Sequence, residues 1–176
     1  MEIELNRLFA RKMGVMLEAR LIWYKHYYFF CDEIIEQMDK PPYWIMDLAT
    51  QKYIGDAIRI VNTYAFSEPF EAFPDTVYDL HIGCLYLRYE RKEISWASFL
   101  TDSGRYADNY QVVKQPCEFF YYMLNDYEDH EFSNRLELEQ AESVEREFQS
   151  AIAEAKRLYS PFVDYFRNYV ASQRGK

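Results

Sequence analysis

The sequence predicts an all-α fold, a single-domain helical bundle of six or seven helices over residues 1–176, on three observations. Apolar residues recur at spacings of three and four, and no sustained period-two alternation appears. Five Gly and six Pro are few for a chain of hairpins, each of which needs turn residues. No repeat, low-complexity tract or Gly/Ser linker divides the chain, whose length suits one domain.

Each element then follows from its pattern. Met13, Leu17, Leu21, Tyr24 and Tyr28 predict a first long helical run from about Leu5 to Met38, with or without a break, ended by Pro41-Pro42. Ile54, Ile58, Val61 and Ala65 predict a second over about Ile45–Tyr64. A third, about Pro74–Arg91, carries apolar residues nearly all round and is expected to be central. Ser95 is a candidate N-cap for a helix carrying Trp96 and Phe99, which the run Thr101-Asp-Ser-Gly104 loosens or ends. Pro116 opens a helix through Tyr127. Asn134 with Glu137 resembles a capping box ahead of the run Ala141, Val144, Phe148, Ile152, Ala155, Tyr159, Phe162, which Ser160-Pro161 kinks or ends.

Charge narrows the function. The net charge is −9, and the segment 126–147 alone holds nine carboxylates against Arg135 and Arg146. A phosphate backbone is repelled by such a segment, so direct nucleic-acid binding is disfavoured. The segment reads either as a solvated helix face or as a docking surface for a basic partner. Three Cys, an odd number, behind an acidic start predict reduced thiols in a cytoplasmic protein. The most apolar window, Leu21–Phe30, contains Lys25 and His26 and falls short of a membrane span.

Catalytic and metal motifs are fragmentary. Asp32-Glu33-Ile-Ile-Glu36 looks like half of an acidic metal box, but the facing helix offers only Asp47 and Asp56, in the wrong spacing. The segment around Pro41-Pro42 therefore reads as a helical corner. His81 and Cys84 form half a zinc site that Cys117 or His130 would have to complete. Cys117, at a helix start, has no sequence-visible base. Arg20 and His26 fit the loose Arg-x(4–6)-His spacing of helical HEPN ribonucleases, with Leu21 departing from the usual polar residue. No metal and no cofactor is expected.

The stretches "DEIIEQMDKPPYWIMDLA", "IGCLYLRYERKEISWASFL" and "CEFFYYML" resemble, in style, the small acidic aromatic-rich helical immunity proteins of bacterial secreted-toxin systems. That resemblance implies a non-catalytic cytosolic protein that binds a toxin domain, often a basic nuclease, and blocks it. The residues expected at such an interface are Asp126, Glu128, Asp129, Glu131, Glu137 and Glu142, with Tyr43, Trp44 or Tyr127 as aromatic anchors. The alternatives are a HEPN-like ribonuclease using Arg20 and His26, and a structural or regulatory protein that self-associates through the stripe at 138–162.

Overall fold

The computed structural model describes residues 3–174. Those residues form helices and no strand, so the fold class is all-α; nine helices occur among them rather than six or seven. They gather into two compact units. One comprises the chain up to Phe73 with the segment from Arg157 onward, the other Pro74–Lys156. No described helix is long and apolar enough to cross a membrane.

The first unit holds α1 (Arg7–Glu18), α2 (Tyr24–Gln37), α3 (Tyr43–Ala49) and α4 (Ile54–Ala65). The helical run expected over Leu5–Met38, with or without a break, is thus two helices. Ala19-Arg20-Leu21-Ile22 has no helix breaker, yet Arg20 takes φ 60° and the chain turns, with Leu21 and Ile22 both sealed in the core. A left-handed arginine is disfavoured by its Cβ, so tertiary burial rather than local preference makes this break. The helix expected over Ile45–Tyr64 is also two. Thr50 Oγ1 donates to the Asp47 carbonyl at 2.8 Å, and Tyr27 Oη donates to the Gln51 carbonyl in the gap. Packing of α1 on α4 is tied by Arg11, whose guanidinium lies 3.2 Å from both Glu18 Oε1 and Asn62 Oδ1.

The second unit holds α5 (Thr76–Glu90), α6 (Trp96–Asn109), α7 (Cys117–Asp129) and α8 (Asn134–Glu147). Residues 80–87 of α5 are all buried, as its all-round apolar pattern predicts. Ser95 caps α6, its Oγ accepting the Ser98 amide at 3.1 Å. Thr101-Asp-Ser-Gly104 does not end that helix. Its small residues face a neighbour: Ser103 is fully buried, and a Cβ on Gly104 would lie 2.5 Å from the Tyr121 ring. Trp96, Phe99, Phe120 and Phe148 form the aromatic centre.

The last run breaks at Phe148 rather than at Pro161. Helix α9 (Gln149–Arg174) gives its first turns to the second unit and the remainder to the first, with Pro161 inside it. Proline there withholds an N–H from the Arg157 carbonyl without stopping the helix. The capping box also shifts: Ser133 is the N-cap of α8, Asn134 is its first helical residue, and no side-chain cap bond forms.

Candidate functional site: the acidic α7–α8 hairpin

Helices α7 and α8 are joined by a turn in which Glu131 and Phe132 both have left-handed φ, 54° and 58°. Four side-chain bonds fix the inner side of the hairpin. Glu137 accepts from Tyr89 Oη at 2.7 Å and from Tyr127 Oη at 2.8 Å. The Trp96 indole donates to Gln140 Oε1 at 2.8 Å, and Gln140 Nε2 donates to the Met123 carbonyl at 2.9 Å. The inner face is thereby satisfied, and the outer face is left to the charges.

That outer face holds most of the expected residues. Asp126, Glu128, Asp129, Glu131 and Glu142 are exposed, and Glu118, Glu139 and Glu145 join them on the same two helices. Asp126 lies 3.2 Å from His130 Nδ1, and Glu139 lies 3.0 Å from Arg135. Among the described residues no ion pair involves Glu128, Asp129, Glu131, Glu142 or Glu145. Glu137 is placed differently from the expectation: half-buried, it is spent on the two tyrosines. Glu147 likewise turns to Lys114 and Gln115, whose hydrogen bond leads the effects that hold its carboxyl below the usual range.

The aromatic anchors need correction. Trp44 is 5% exposed and stacks on Tyr64 at 5.3 Å, so burial removes it from any outward-facing surface. Tyr127 is 7% exposed and engaged by Glu137. Tyr43 is 83% exposed, in the first unit. The sequence reading missed Tyr122, Phe132 and Leu138, which are exposed on the hairpin itself at 71%, 54% and 64%. A signal for two of them was present. Tyr122 falls four residues after Glu118 and four before Asp126, and Leu138 falls four before Glu142, so each sits in a charged stripe.

The catalytic alternatives lose their geometry. His26 is 6% exposed, its Nδ1 accepts the Trp23 amide at 3.0 Å, and its ring packs near Tyr159 and Phe166. It acts as a helix-start residue. Arg20 is exposed beside Trp23. A proton-transferring histidine in an open cleft is not what this arrangement provides. Cys84 is buried and its thiol is pushed up by desolvation, while His81 stacks on Tyr106 at 3.7 Å. No cluster of three metal-ligating side chains occurs among the described residues. Cys117 opens α7 beside a cavity of about 440 Å³. Desolvation, the hydrogen bond to Glu118 and the nearby Asp108 charge raise its pKa, opposite to what a helix start alone would do. The apolar run from Ala141 to Phe162 is buried, so it offers no free stripe to a second copy.

Compared with known proteins, the chain matches no family model, no curated protein and no solved structure.

Proposed function

We propose that the chain is a non-catalytic binding protein of the cytoplasm, an immunity protein that neutralises a cognate toxin domain through the acidic face of α7 and α8. Its partner is a basic protein, of which a toxin nuclease domain is the expected kind. The observation that supports this reading is the set Glu128, Asp129, Glu131, Glu142 and Glu145. These carboxylates point outward on a hairpin that internal hydrogen bonds hold rigid.

The physical logic is electrostatic. Exposed like charges on a short hairpin repel one another and contribute nothing to its stability. Opposite a cationic surface the same charges steer encounter and raise the association rate. A face held rigid in advance also avoids the ordering cost that a loop would incur on binding. The test is co-expression with the toxin domain encoded in a neighbouring reading frame. Protection of the cells together with a co-eluting complex supports the proposal. A toxin that kills cells containing the folded chain, with no complex formed, refutes it.

A further inference from the structure

Helix α7 carries one aromatic ring that its packing does not use. Tyr122 is 71% exposed, so a face of the ring is open to water. Among the described residues it makes no hydrogen bond and no ring contact. Glu118 lies one turn before it and Asp126 one turn after, on the same helix face, and Asp129 follows on the next turn. All three carboxylates are exposed. Glu118 accepts from the Cys117 thiol at 3.3 Å, and Asp126 lies 3.2 Å from His130 Nδ1. An ionised carboxylate offers about four acceptor sites, so each keeps room for a further donor. A lone exposed aromatic is ordinary on a protein surface. A ring set between carboxylates along one face is a cation seat.

Taking the acidic face as the docking surface for a basic protein, we infer that Tyr122 seats an arginine of that partner. The guanidinium lies flat on the ring while its edges donate to Glu118 and Asp126. The π face is negative and attracts a cation held within about 6 Å of its centroid. Guanidinium N–H groups lie in the plane of the group, so stacking leaves them free for carboxylates beside the ring. A lysine ammonium is more strongly hydrated and cannot stack, so it gains from the charges and little from the ring. Tyrosine and arginine are also residues in which interface energy concentrates.

Two capped glycine-rich peptides, alike except that one carries two arginines and the other two lysines, are the probes. Each is titrated into the whole chain and followed by the ring signals of Tyr122 in NMR spectra, identified by their loss in Tyr122→Ala. The arginine peptide is expected to move those signals and to bind at least about threefold more tightly than the lysine peptide. Tyr122→Ala should remove that preference and leave the affinity for the lysine peptide within about twofold, whereas Tyr122→Phe, which keeps a ring, should preserve it. Both variants should melt with the unaltered chain, because the side chain is exposed and outside the packing. Equal binding of the two peptides, or a preference that survives Tyr122→Ala, overturns the arginine seat and leaves the acidic face standing. Binding of neither peptide at millimolar concentration in low salt overturns both.

Discussion

Glu137 Oε1 accepts the phenolic hydrogen of Tyr89 at 2.7 Å, across 48 positions of sequence. This bond ties α8 to α5, and the second oxygen of the same carboxylate ties α8 to α7 through Tyr127. One residue of an acidic segment thus serves the fold, while its neighbours face water.

Glu137→Ala should destabilise the protein by about 1–3 kcal/mol, because the buried Tyr127 and the half-buried Tyr89 both lose their acceptor. Glu142→Ala, on the same helix but exposed, should change stability by less than about 0.5 kcal/mol. Urea denaturation of the two variants checks the contrast.

The tyrosines also predict an alkaline limit. Desolvation, followed by the bond to Glu137, raises Tyr127 from 10.0 to about 12, and desolvation raises Tyr27 to about 12. Both are neutral when protonated, and the fold favours that form. Their contribution is therefore fully present below pH 10.0 and is lost as pH rises through about 12. Denaturation midpoints should hold steady from pH 8 to 9.5 and fall above it; a stability that kept rising across this window would contradict the assignment.

Close helix crossings make a third case. A Cβ on Gly83 would run into the backbone of Ala151 and Ile152, which cannot step aside. On Gly104 it would meet the outer atoms of the Tyr121 ring, which can rotate. Gly83→Ala should cost about 1–3 kcal/mol by overpacking, and Gly104→Ala clearly less. Thermal melts of both variants measure the difference.

Cys117 should behave as an ordinary, sluggish thiol. Its pKa is raised, so iodoacetamide at pH 7.5 should alkylate it more slowly than free cysteine. Faster modification would revive a nucleophilic role.

Much of this fold is written in apolar spacing. α5, α6 and α7 lie close to where Val77–Leu87, Ser95 and Pro116 place them, because in each the local start signal and the buried face agree. The breaks within the first and last runs have the opposite character. Arg20 and Phe148 are fair helix formers, and the chain turns there because burial on both sides demands it, a non-local cause that periodicity cannot register. The acidic surface was legible from composition, since exposed carboxylates have few other places to go. Its anchors were not. Trp44 and Tyr127 look like surface aromatics in sequence, and only the packing partners Tyr64 and Glu137 reveal them as interior.

The account turns on whether the α7–α8 carboxylates steer a cationic partner. The direct measurement is the association rate of that partner, across ionic strength, with the triple variant Glu128→Lys, Asp129→Lys, Glu142→Lys. Slower association by about tenfold or more at low salt, with a flattened salt dependence and a melting temperature close to that of the unaltered chain, is the expected result. Unchanged rates and an unchanged salt slope would contradict it.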